Sequence, residues 1–164
     1  MKAKALTKDA IKVKGCYRLQ ITEDKDGKTT VIGDSGWKEN LVTNLGFNQY
    51  LVSALGSISG SKYVSHMAIG TGGAPAAADT TLAGEQSVRA SVTAATSSGS
   101  KTVRFTATFA SVDSFVTASK NISNIGLFNT STAAGGTLFA GNTYTSSACA
   151  TNQNVNATYD IIFA

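Results

Sequence analysis

The chain has 164 residues, a formal net charge of +4 and 42% hydrophobic residues, a composition that suits a folded domain rather than a disordered tail. No apolar run nears the roughly 18–20 residues of a transmembrane helix, and the basic start Met1-Lys2-Ala3-Lys4 has no apolar segment behind it, so neither a membrane span nor a secretion signal is expected. Charged residues make up 15%, well under the roughly one quarter of a typical domain, and 15 of the 24 fall in the first 40 positions, with Asp160 the one charge between Asn121 and Ala164.

Period-two alternation runs through most of the chain. Ile11, Val13, Tyr17, Leu19 and Ile21 share one face, and Lys12, Lys14, Arg18, Gln20 and Thr22 the other, which predicts a half-buried strand. Glu23-Asp24-Lys25-Asp26-Gly27-Lys28 reads as a hairpin turn, because Asp-Gly supplies the positive φ angles of a tight reversal. A second strand follows over 29–32, Gly33-Asp34-Ser35-Gly36 interrupts it, and Trp37 begins the next segment.

One helix is predicted over 44–55. Asn44 is its cap, Phe47, Tyr50, Leu51, Ala54 and Leu55 recur at helical spacing, and Gly56 ends it. A strand is expected over 63–69, then the loop Gly70-Thr71-Gly72-Gly73-Ala74-Pro75, then loop or a short helical turn over 76–82. Alternation returns at Val88, Ala90 and Val92 and again at Val103, Phe105, Ala107 and Phe109, with a turn at Thr96–Ser100 between them. Ile122–Phe128 is apolar enough for burial on both faces, Thr137–Tyr144 runs back after a Gly-Gly reversal, and Val155, Ala157, Tyr159, Ile161 and Phe163 form a last strand inside a sheet. The expected fold is mainly β: a β-sandwich, of jelly-roll type, with one short helix, a charged N-terminal arm and first hairpin over 1–36 and a sandwich body over 37–164.

Residues with catalytic chemistry are sparse. His66 is the one histidine and lies in a predicted strand, with no nucleophile-elbow motif around any serine. Cys16 and Cys149 read as two free thiols of a protein folded in a reducing cytoplasm, since they meet only if the terminal strands pair. Glu23, Asp24 and Asp26 offer oxygen ligands, but Lys25 and Lys28 in the same short turn argue for a solvated tip over a calcium site. The Gly70–Gly73 stretch lacks the Gly-Lys-Ser/Thr ending and the βαβ setting of a phosphate loop. Asn121, Asn129 and Asn156 head glycosylation acceptors by chance in an Asn- and Thr-rich chain. A non-enzyme with no catalytic, metal or cofactor site is expected.

The first 40 residues hold nine Lys/Arg against six Asp/Glu, and Lys2, Lys4, Lys8, Lys12 and Lys14 face only Asp9. This basic arm is the candidate partner-binding segment, suited to an acidic protein surface. It has no interleaved aromatics to stack on bases, so no direct nucleic-acid contact is expected.

Several ordered segments resemble small β-rich virion proteins of tailed bacteriophages. They are Asn40-Leu41-Val42-Thr43-Asn44-Leu45-Gly46, Ala68-Ile69-Gly70-Thr71-Gly72-Gly73, Asp79-Thr80-Thr81-Leu82-Ala83-Gly84-Glu85 with Arg89, Ile122–Asn129, Gly135–Ala140 and Tyr159-Asp160-Ile161-Ile162-Phe163. The resemblance covers about 37–164 and implies a structural role in the virion. The first expectation is a capsid decoration, or cement, protein that self-associates and binds the major capsid protein on the outer head. A tail or tail-fibre component is the alternative. A glycan-binding host-attachment module, stacking sugars on Trp37, Tyr63 or Tyr144, is a third.

Overall fold

The computed structural model describes residues 12–97 and 99–164. They form ten strands: β1 (Val13–Lys25), β2 (Lys28–Asp34), β3 (Lys38–Val42), β4 (His66–Gly70), β5 (Ala90–Ser91), β6 (Thr93–Ala95), β7 (Thr102–Phe109), β8 (Lys120–Phe128), β9 (Leu138–Cys149) and β10 (Gln153–Phe163). All pairings are antiparallel, in the order β5-β4-β8-β9-β3-β1-β10-β7-β6, with β2 beside β1 off this path. The two ends of that path, β5 and β6, are neighbours in the chain, with Val92 alone between them.

The mainly β prediction with one short helix is met, but the sheet is barrel-like and nearly closed instead of two stacked sheets. Two elements join what a sandwich keeps apart. β3 pairs with β1 through Lys38–Asn40 and with β9 through Leu41–Val42. The segment from Ala90 to Ala95 pairs with β4 at one end and β7 at the other, so sharing one bent strand removes most of the free edge that an open sheet exposes. The charged N-terminal region, set apart in sequence as 1–36, supplies β1 to the middle of the sheet, where it pairs with the last strand over eleven residues from Val13↔Phe163 to Glu23↔Gln153.

Alternation sets which side chains point inward. Tyr17, Leu19 and Ile21 are buried in β1, and Val155, Ala157, Tyr159 and Ile161 in β10. Tyr17 stacks on Tyr159 with 5.6 Å between centroids and meets Tyr144 edge-on at 6.2 Å, geometries that aromatic quadrupoles favour. Thr22 keeps the predicted outer face, where its Oγ1 accepts from Asn156 Nδ2, but it is buried there, next to the register shift between β1 and β2 at Ile21/Thr22. The Asp26-Gly27 turn adopts φ of 52° and 74° as the hairpin reading requires.

The predicted helix is present as α1 over 44–55, helical at 44 and 45, π-helical over Gly46–Val52 and α-helical over Ser53–Leu55. Its start differs by one residue: Thr43, not Asn44, caps it, with Thr43 Oγ1 accepting from the Gly46 amide at 3.0 Å. Gly46 is the point of closest approach to β9, since a Cβ there would lie 2.1 Å from the Phe139 carbonyl oxygen. Only Gly46 and Tyr50 of the π-helical part are buried.

β8 is covered on both sides, as its apolar run predicts. Its inner side chains join the main core, while Phe128 packs with Ala68, Leu82 and Leu138 in a second cluster on the outside of the wall. The long connection from β4 to β5 supplies Leu82 to that outer cover, and its segment 76–82, expected as loop or a short helical turn, is loop and turn.

Candidate interaction surfaces

Of the five lysines proposed for partner binding, Lys2, Lys4 and Lys8 lie outside the described residues. Lys12 and Lys14 are exposed at the start of β1, and neither takes part in an ion pair among the described residues. Their backbone is firmly placed, with Lys12 and Ala164 exchanging both hydrogen bonds at 2.8 Å.

The outer face of β1, β10 and β7 is a ladder of short polar side chains. In register across it stand Cys16, Asp160 and Arg104, then Arg18, Thr158 and Thr106, then Gln20, Asn156 and Thr108. Thr108 Oγ1 donates to Asn156 Oδ1 at 2.8 Å, and Asn156 Nδ2 donates to Thr22 Oγ1 at 3.1 Å. Arg104 donates twice to the largely buried Asp160 carboxylate, at 2.8 and 2.7 Å, a bidentate fork that raises its already high pKa. Arg18 likewise forks onto Asp34, and that contact, with the Gly36 amide, holds the Asp34 carboxyl well below the usual carboxylate range. The charges of Arg18 and Arg104 on this face are thus matched locally, while Lys14, at the start of β1, is in no ion pair among the described residues.

Of the three aromatics proposed for sugar stacking, Trp37 is 47% exposed, with the Arg104 guanidinium 5.6 Å from its ring, and Tyr63 is 77% exposed. Tyr144 is not on that surface. It packs against the main core beside Tyr17, and burial pushes its hydroxyl far above the ordinary tyrosine range.

A different surface is apolar. Phe47, Val52 and Leu55 project outward from α1, with Leu55 89% exposed, and with Val13, Leu51 and Phe163 they line an open groove of about 530 Å³. Phe47, Leu51 and Leu55 belong to the helical spacing that predicts α1. No charged residue stands between Glu39 and Lys62 to mark the helix's water-facing side, so which way they point was not legible in the sequence.

Four of the six segments behind the phage-protein resemblance, 68–73, 79–85 with Arg89, 122–129 and 135–140, meet in one structural cluster. Arg89, its side chain fully buried, forks onto Glu85 at 2.5 and 3.1 Å, donates to the Thr130 carbonyl at 3.0 Å, and lies over the Phe128 ring. Buried Asn124 donates to the carbonyls of Gly73 and Ala83, and Asn129 Oδ1 accepts from the Thr137 amide at 2.8 Å. The amides of Thr71 and Gly72 are spent on the carbonyls of Gly84 and Ala83, so two donors that a phosphate cradle needs are already engaged. This cluster pins the outer loop to β8, and its residues act as architecture.

His66 meets Ser65 Oγ at 2.8 Å and Ser91 Oγ at 3.4 Å; among the described residues no carboxylate is a hydrogen-bond partner, and burial, then the Arg89 charge, lowers its pKa. Cys16 and Cys149 are both free. The terminal strands do pair, but Cys16 faces Asp160 and Cys149 faces Lys120. In the first hairpin, Asp24 accepts from Thr29 and Asn154, and Glu23 from Asn152. Among the described residues no group of three or more His, Cys, Asp or Glu is placed to hold a metal ion, and no helix is long and apolar enough to cross a membrane. Comparison with protein-family models, curated proteins and solved structures returns no match to this chain.

Proposed function

We propose that this chain is a non-enzymatic structural protein of a tailed-phage virion, a decoration protein that self-associates and binds the major capsid protein on the outer head. The observation that carries the reading is the polar ladder on β1, β10 and β7. Outward Thr106, Thr108, Asn156 and Thr158 carry no charge, and Arg104 and Asp160 neutralise each other. A neighbouring subunit covers hydroxyls and amides at a far smaller desolvation cost than unpaired ions. The basic N-terminal lysines, Lys2 to Lys14, then supply attraction to an acidic shell.

The experiment is co-sedimentation of the purified protein with phage heads, full chain against a chain lacking residues 1–9. The full chain is expected to decorate heads at hundreds of copies and the truncated chain to stay in the supernatant. A truncated chain that still decorates removes the arm from the reading, and a copy number of a few to a few dozen moves the protein to the tail or fibre. Exposure of Trp37 beside Arg104 favours one further reading, a glycan contact. Binding on a glycan array that is lost with Trp37→Ala would establish it.

A further inference from the structure

We propose that the apolar path beside α1 binds a single-chain anionic amphiphile, a long-chain fatty carboxylate, with its head on Lys62 and its tail along the helix. The inference is independent of the virion reading. Two cavities meet there. One, of about 160 Å³, lies between α1 and the inner side of the sheet, walled by Tyr50, Val64, Val103, Phe105, Phe139 and Ile161. The other is the open groove of about 530 Å³ on the outside of α1. Leu51 and Phe163 line both, so the two form one continuous apolar path.

Lys62 is the one charged side chain lining either cavity. Its amide donates to the Gln49 carbonyl at 3.0 Å, which fixes it against α1. Its ammonium donates to Thr137 Oγ1 and is in no ion pair among the described residues. An ammonium carries three donors, so two remain for an anion at this end of the path.

The lining selects the rest of the ligand. Beyond Lys62 and the exposed Tyr63, the Tyr50 hydroxyl is spent on the Thr137 carbonyl, and the other lining side chains are apolar. Sugar hydroxyls or a peptide backbone buried there would leave hydrogen bonds unmade, whereas an alkyl chain needs none. Apolar cavities of about 150 Å³ take a benzene-sized group, so the inner cavity holds the first part of such a chain. The remainder passes Leu51 and Phe163 and covers Phe47, Val52 and Leu55, apolar side chains that α1 turns outward.

The test is calorimetric titration of the delipidated full chain with laurate, below the concentration at which laurate forms micelles. Saturable binding at a single site is expected, weakening about four-fold for each methylene removed from the tail. Lys62→Gln should weaken laurate about ten-fold or more and leave dodecanol unchanged, while Lys62→Arg should retain laurate binding. Leu55→Asp, at an exposed position, should weaken both ligands with unchanged circular dichroism. No saturable laurate binding, equal affinity for laurate and dodecanol, or laurate binding insensitive to Lys62→Gln overturns the proposal. Co-sedimentation with phosphatidylglycerol vesicles without binding of free laurate also overturns it, in favour of a membrane-surface contact.

Discussion

The Arg89 guanidinium lies 3.6 Å from the centroid of the Phe128 ring, and the same group forks onto Glu85 four residues before it. One cation thus closes a loop onto a strand, satisfying a carboxylate and covering an aromatic face where neither reaches water.

Removing Arg89 leaves Glu85 buried without its partner. Arg89→Ala is expected to cost about 3–5 kcal/mol, measured by urea unfolding. Replacing both residues, Glu85→Met with Arg89→Met, should cost much less, because no uncompensated charge remains.

Gly46→Ala should destabilise despite alanine's better helix propensity, worth about 1 kcal/mol. The added Cβ meets the backbone oxygen of Phe139 at 2.1 Å, and a strand backbone does not rotate aside. A net loss of about 1–3 kcal/mol is expected from such overpacking, read as a lower midpoint in thermal unfolding.

Acid should loosen the β1–β2 hairpin through Asp34. Its carboxyl is held below its ordinary value by Arg18 first and by the Gly36 amide next. The contribution is therefore full above the unfolded carboxylate pKa, about 3.9, and is withdrawn as pH falls below it. The Gly36 amide shift, which reports its bond to Asp34, should titrate in that acid range by NMR, and Asp34→Asn should remove that titration. The pair is solvent-exposed, so the change in global stability should be small.

Alkali acts with the opposite sign. Burial pushes the Tyr17 hydroxyl up to about 12, and Tyr50, Tyr144 and Tyr159 are raised as well. A group that stays neutral in the fold stabilises it below the unfolded tyrosine pKa, about 10, and loses that contribution as pH climbs through the folded value. Absorbance near 295 nm should show four of the five tyrosines resisting ionisation until the barrel opens. Tyr17→Phe should shift the alkaline midpoint upward relative to its own neutral-pH stability.

Much of the fold was legible because strand alternation and turn chemistry are local. The inward set of Tyr17, Leu19 and Ile21, the Asp26-Gly27 reversal, the two-faced burial of Ile122–Phe128 and the terminal strand all follow from neighbours within a few residues. The candidate surfaces were only partly legible. The uncharged outward positions of β7 and β10 read directly from alternation, whereas the helical spacing of Phe47 and Leu55 does not tell which way they point.

Composition and period thus determined a mainly β chain with a neutral polar exterior and a charged beginning. Tertiary structure alone decided that β1 sits beside β10, that one segment from Ala90 to Ala95 serves both edges of the sheet, and that Arg89 reaches Phe128. It also turned Phe47 and Leu55 outward. The physical reason is common to all four. Period states that a side has an apolar face, but which surface covers that face depends on chain segments far away in sequence, whose approach no local pattern encodes.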